Sequence, residues 1–197
     1  MNRMHEFILE PIPYTKEAPS RALCHMLWDE YTMPNHIRNH STQVAFVAER
    51  IAQALSHISY PLCIESIVAS ALLHDIAKMY CIENPSYRHN ELGALWVLEK
   101  TEHRLVAQGV YYHNYLNPEH ITLPYHILPV IVMYADSRVQ HADIVSLEER
   151  YADLLIRYGT TIERRKHIAL VKEQALTMEK WITSLLGEHP DTLLSLS

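Results

Sequence analysis

HIRNHSTQVAFVAERIAQALSHI, residues 36–58, is the stretch on which the fold turns. Val44, Val47, Ala48, Ile51, Leu55 and Ile58 recur at steps of three and four, which gathers them on one stripe of an α-helix. The stripe runs back to His40, four residues before Val44, so an imidazole faces inward with the aliphatic side chains. The same spacing continues outward along the chain. A helix is expected over 19–31, ended by Pro34-Asn35, and another begins after Pro61 and carries Ile64, Ile67, Val68, Ala71 and Leu72 into His74-Asp75. Further helices are expected over 89–101, 103–115, 124–142, 146–158 and 160–186. No alternating strand pattern and no internal repeat competes with them, so the expected class is all-α.

Composition fits one such domain. The chain has 197 residues, 48% apolar and 20% charged, long enough to bury a core without staples. The expected organisation is an N-terminal arm over 1–18, a helical domain over 19–160 and a long C-terminal helix within 161–197. Ile168, Val171, Ala175, Met178, Ile182 and Leu185 repeat like a coiled-coil seam. That helix either packs on its own domain or forms a homodimer contact. Net charge is −6, so duplex nucleic acid is not an expected partner; Arg164-Arg165-Lys166 reads as a solvated helix face. The four glycines are too scattered for a phosphate-cradling loop. Cys24, Cys63 and Cys81 never form a CxxC pair and read as reduced and buried. Residues 1–14 lack a secretion-signal core, and the longest apolar stretch, 127–135, is too short for a bilayer. No membrane partner and a cytoplasmic location are the expectations.

Histidine is in excess, at 14 residues, and the stripes show where several of them point. Asp75 follows Val68 by seven and Ala71 by four, with His74 beside it. His89 precedes Leu92 by three and Trp96 by seven, and His113 follows Val110 by three and Val106 by seven. Asp136 follows Val132 by four and precedes Val139 by three. A lone inward histidine is usually a hydrogen-bonded core residue, and a lone buried aspartate usually caps a helix or pairs with arginine. Six together are costly unless a cation compensates them. Nitrogen and oxygen donors without thiolate suit one or two divalent metals per chain, Fe, Mn, Co, Ni or Zn, with Mg as a further candidate.

The order His40, His74-Asp75, Asp136 resembles the signature of the HD superfamily of metal-dependent phosphohydrolases. LLHDIAK (72–78) is close to the HDIGK form of the motif and resembles an HDIG-like bacterial subfamily. RNHSTQVAFVAERIA (38–52) resembles the helix with the first histidine. YRHNELGALWVLEK (87–100) and VYYHN (110–114) resemble segments that supply two more histidines. The likeness, which includes VMYADSRVQHADIVSLEERYADLLIRYG (132–159), covers about residues 36–160. It implies a helical HD bundle in which His40, His74, Asp75 and Asp136 hold one metal, and Asp75 bridges to a second held by His89 and His113. His113 is followed by Asn114, where some dinuclear groups have a second histidine, and the glycine-tyrosine-proline element of cyclic-di-nucleotide phosphodiesterases is missing. Both features argue against that activity.

The expected chemistry is hydrolysis by metal-activated water of a phosphomonoester, phosphodiester or phosphoanhydride in a small, nucleotide-like phosphorylated substrate. Asp75 and Lys78 take the catalytic roles. Lys78, Arg138 and Arg88 are the candidates to receive the substrate; the alternative for each is a surface salt bridge. Tyr111, Tyr112, Tyr115 and Tyr134 flank the site segments, where they could stack a base or simply pack. Two other functions fit the same donors: a di-iron oxygenase, and a non-catalytic sensor of nucleotide or metal. No GxSxG or HExxH motif offers other chemistry. His141 and Asp143 read as groups behind the ligands or at the surface. His5, His25, His36, His57, His103, His120, His126, His167 and His189 read mostly as solvated loop or helix-end residues.

Overall fold

Where the apolar stripes run, the chain forms helices. The computed structural model describes residues 17–60 and 62–194, so almost all of the arm expected over 1–18 lies outside the described residues. The helices are α1 (Arg21–Glu30), α2 (Asn35–His57), α3 (Ile64–Leu73), α4 (Lys78–Glu83), α5 (His89–Thr101) and α6 (Arg104–Tyr112). After a short 3-10 turn (Pro118–His120) come α7 (Ile127–Ser137), α8 (Leu147–Tyr158), α9 (Ile162–Leu186) and α10 (Asp191–Leu194). Their starts are chemically marked. Ser20, Ser146 and Thr161 accept the first free backbone N–H groups of α1, α8 and α9, and Glu149 completes a capping box with Ser146.

α3 is the hub. From Ser66 to Leu73 every residue is buried, as expected of a helix that is apolar nearly all round. It packs on α2, α6 and α7. α2 turns Val44, Val47, Ala48, Ile51 and Leu55 toward it. From the other side Trp28 Nε1 donates to the Leu72 carbonyl at 2.8 Å, which fixes α1 against the end of α3. α6 crosses close to α3 and α7 at Gly109. A Cβ there would stand 2.5 Å from Leu128 Cδ2 and 2.7 Å from Ser70 Oγ. Ser70 itself donates to the Val106 carbonyl at 3.1 Å, so the two helices are bonded at their contact. α9 buries Gln174, Ala175, Met178 and Ile182 and packs on α7 and α8.

The structure departs from the expected elements in three places. The helix expected over 124–142 spans only Ile127–Ser137. The chain then reverses through a two-stranded antiparallel ribbon, β1 (Val139–Gln140) and β2 (Asp143–Ile144). His141 takes a positive φ of 58° in that turn, a conformation in which no helix continues. Secondly, α4 is a separate helix, parted from α3 by the turn that carries His74 and Asp75. Thirdly, His103 and His126 are buried rather than solvated. His103 caps α6 by accepting from the Val106 N–H, and His126 Nδ1 accepts from the Thr122 N–H at 2.8 Å.

Cys24, Cys63 and Cys81 are free thiols; Cys24 and Cys81 are buried and Cys63 is half-buried. Burial pushes the Cys24 thiol up to about 12. No helix among the described residues is long and apolar enough to cross a membrane.

Gly109→Ala tests the α3–α6–α7 contact. Overpacking at a site with no free space should cost about 1–3 kcal/mol, read as a lower midpoint in denaturant unfolding.

Candidate metal centre

Three C-terminal helix ends, one helix start and one helix interior meet at the centre of the bundle. His74 is the C-cap of α3, His113 the C-cap of α6, and Asp136 lies in the last turn of α7. His40 comes from α2, and His89 is the first residue of α5. The carbonyl-rich C-terminal end of a helix favours positive charge, and here three such ends converge. Along the cluster the rings run His40, His74, His113, His89, with neighbouring centroids 5.3, 4.9 and 5.2 Å apart.

Local hydrogen bonds decide which nitrogen each ring presents. His74 Nδ1 lies 2.7 Å from the Ala71 carbonyl, and His113 Nδ1 lies 2.6 Å from the Val110 carbonyl. In each case the acceptor is three residues back, one of the orphan carbonyls of a helix end. His40 Nδ1 lies 2.9 Å from the carbonyl of His141, in the turn of the ribbon. A carbonyl can only accept, so all three rings carry a proton on Nδ1 and turn Nε2 toward the cluster.

Those nitrogens face carboxylates and one another. His40 Nε2 is 2.9 Å from Asp136 Oδ1, and His74 Nε2 is 3.6 Å from the same oxygen. In a second group, His89 Nε2 is 3.3 Å from His113 Nε2, while Asp75 Oδ1 lies 3.4 Å and 3.7 Å from the two nitrogens. Asp75 belongs to both, because its Oδ2 is 3.4 Å from His74 Nε2. Within each trio, His40, His74, Asp136 and Asp75, His89, His113, the donor atoms all lie within 4.8 Å of one another. His74 Nε2 is buried with no hydrogen-bond partner. Imidazoles and carboxylates gathered in the core, with one ring nitrogen left without a partner, are a costly arrangement that cations relieve. The six residues could therefore hold divalent metal, one ion at each trio.

Electrostatics agree with a cation site. Burial pushes the Asp75 carboxyl up, yet Lys78 and His74 outweigh it and hold the group well below the usual carboxylate range. Asp136 is likewise held down, against burial, chiefly by the His40 hydrogen bond and His74, with Arg150 adding to them. Burial lowers His113 to about 3, helped by His74 and His89, and burial also lowers His89. Both rings are neutral at neutral pH, as ligation requires. His74 differs: burial opposes its charge, but Asp75 outweighs burial and raises it.

The candidate substrate residues are placed differently from one another. Lys78 Nζ bonds Asp75 Oδ2 at 2.6 Å and its side chain is 41% exposed, so it stands at the mouth. Arg88 is exposed beside Glu91 at the N-terminus of α5. Arg138 is turned away from the cluster, a correction to its expected role. It is buried and donates to the Val145 carbonyl, the Tyr134 hydroxyl and Asp191, which holds α10 and the ribbon to α7. Tyr134 is buried too and donates to Glu179 of α9.

Two contributors, Asn114 and Arg150, escaped the sequence reading, and a third, His141, which reads there as a group behind the ligands or at the surface, acts through its main chain. The His141 carbonyl could not be foreseen without the ribbon. Asn114 presents its side-chain amide to His89 Nε2 at 2.9 Å. Arg150 acts on Asp136 from α8, and a signal for it was available: it follows Leu147 by three and precedes Leu154 by four, so it lies on that helix's inward stripe.

Packed helices thus bring together two adjacent His/Asp trios, with Asp75 of one also lying against His74 of the other. The family model of the HD domain matches residues 37–139, more than half of the chain, and the chain belongs to the HD-domain family. The match is to the HD domain as a whole and not to the narrower HDIG-like group. No curated protein and no solved structure matches the chain.

Two outcomes are expected. Asp75→Ala, which removes the shared carboxylate, should lose bound Mn²⁺ by elemental analysis with its helical circular dichroism kept. Mn²⁺ affinity should rise as pH climbs through and above the ordinary imidazole range, because His74, which Asp75 holds above its ordinary value, must give up a proton to bind. Calorimetry in buffers of different ionisation enthalpy reads that release.

Proposed function

We propose that the protein hydrolyses a phosphate ester or anhydride bond in a small, nucleotide-like phosphorylated molecule. The observation that carries the reading is the Asp75 carboxylate, with Oδ1 toward His89 and His113 and Oδ2 toward His74. That is the donor arrangement for a pair of metals within a family of metal-dependent phosphohydrolases. Divalent ions held there supply the Lewis acidity that activates water at neutral pH and neutralises phosphoryl charge.

The chain's own residues do the rest. The carbonyls of Ala71, Val110 and His141 keep three imidazoles in the tautomer that presents Nε2 inward. Lys78 holds Asp75 by its Oδ2 and keeps a partly exposed ammonium at the mouth, where a phosphoryl oxygen would arrive. Burial of His74, Asp75 and His113 keeps bulk water from competing for the donors. His89 and Asp136 are partly exposed, so the substrate's approach is on their side. The net charge of −6 and the scarcity of basic runs favour a small substrate over a nucleic-acid polymer.

Phosphate release from a panel of nucleotides, dinucleotides and sugar phosphates, with Mn²⁺ added, tests the reading. Turnover by the wild type and a loss of about 100-fold or more in Asp75→Ala is the expected outcome. Silence across the panel from protein carrying two metals per chain would overturn it in favour of oxygen chemistry or sensing.

A further inference from the structure

One cation beside the centre has no partner of its own. Tyr151 of α8 meets Ser137 of α7 through their hydroxyls at 3.0 Å, in a buried contact. Tyr151 also donates to the Val171 carbonyl of α9 at 3.3 Å. The first bond fastens α8 to the last turn of α7, and the second fastens it to α9. Arg150 and Asp136 are the chain neighbours of the bonded pair Tyr151 and Ser137. The Arg150 charge is felt at Asp136, which it helps to keep ionised, and at Lys78.

The Arg150 guanidinium makes no hydrogen bond or ion pair with any described residue, and its Nε is buried from solvent without a partner. The other cations nearby are engaged. Lys78 bonds Asp75, Arg138 is held by Val145, Tyr134 and Asp191, and Arg38 is held by Asp29 and the carbonyls of Trp28 and Met33. Asp136 does not satisfy Arg150 either, since its Oδ1 faces His40 and His74. One of its donors, the Nε–H, is withdrawn from water without an acceptor, which is costly, while the rest of the planar fork is left for solvent or a ligand. A tetrahedral anion with several strong acceptor oxygens matches that fork better than any other small ligand.

We propose that Arg150 is the residue that binds the substrate's phosphoryl group, which sits between its guanidinium and the His/Asp centre. The assignment rests on the phosphohydrolase reading and adds to it the residue of this chain that takes the anion. Lys78 and Arg150 then flank the mouth from α4 and α8, so the phosphoryl group is met by charge from two sides. The scarcity of positive charge elsewhere limits the pull to a single anionic group.

The test is titration of inorganic phosphate into the Mn²⁺-loaded full chain, comparing wild type with Arg150→Gln and Arg150→Lys. Mn²⁺ content and unfolding midpoint are measured on each. Phosphate affinity is expected to fall about 10–100-fold in Arg150→Gln, as charge-assisted bonds are lost, and less in Arg150→Lys. Mn²⁺ content should not change. For whichever substrate the panel reveals, KM should rise in the same order. Wild-type phosphate affinity in Arg150→Gln would overturn the assignment and leave the phosphohydrolase reading intact. Loss of Mn²⁺ or of cooperative unfolding in both variants would also overturn it, and would make Arg150 a support for the α7–α8 contact. Failure of the Mn²⁺-loaded wild type to bind phosphate would overturn the phosphohydrolase reading and the assignment together.

Discussion

An imidazole at the end of a helix can give its Nδ1–H to the carbonyl three residues behind it, and the centre of this protein depends on that bond. His74 and His113 both make it, at the ends of α3 and α6. One hydrogen bond does three things at once. It satisfies a carbonyl that the helix leaves unpaired, it fixes the tautomer, and it aims the remaining lone pair away from the helix axis. His40 reaches the same state from mid-helix by borrowing the His141 carbonyl from the ribbon. Once three rings are set this way, their Nε2 atoms and two carboxylates converge in the core, an arrangement suited to a cation.

The architecture around the centre makes that convergence possible. α3 must be buried from Ser66 to Leu73 so that its last turn ends inside the molecule rather than at its surface. Gly109 allows α6 to approach closely enough for His113 to stand beside His74. Trp28, through its bond to Leu72, restrains the segment just before the His74-Asp75 turn. Arg138 binds the ribbon and α10 to α7, and the same ribbon supplies the acceptor for His40. Packing and chemistry are thus the same set of contacts seen from two sides.

Much of this could be read from residue spacing. The steps of three and four in α2 place His40 inward because a helix turns at 3.6 residues, and the same rule finds His89 and Asp136. It works wherever the chain is regular and fails where it is not. The helix through Asp136 stops at Ser137, and nothing in Arg138-Val139-Gln140 announces a reversal; the turn at His141 forms without glycine or asparagine. Arg138 itself follows Asp136 closely in sequence, yet two positions on a helix rotate a side chain to the far face, which is why it serves the core. Arg150 obeyed the spacing rule and was overlooked because arginine is commonly a surface residue. Asn114 needed the neighbouring helix to give it meaning.

All three bonds that orient the ligand rings end on main-chain oxygen: Ala71, Val110 and His141. In many metal sites that office falls to a carboxylate side chain, and a single codon change can remove it. Here every amino acid at positions 71, 110 and 141 carries the same acceptor. The tautomers are therefore buffered against point mutation at those positions, and the sequence around the ligands is free to drift so long as the backbone path is kept. A lineage carrying this domain could exchange metals or substrates by altering residues at the mouth, while the orientation of its ligands passed unchanged from one variant to the next.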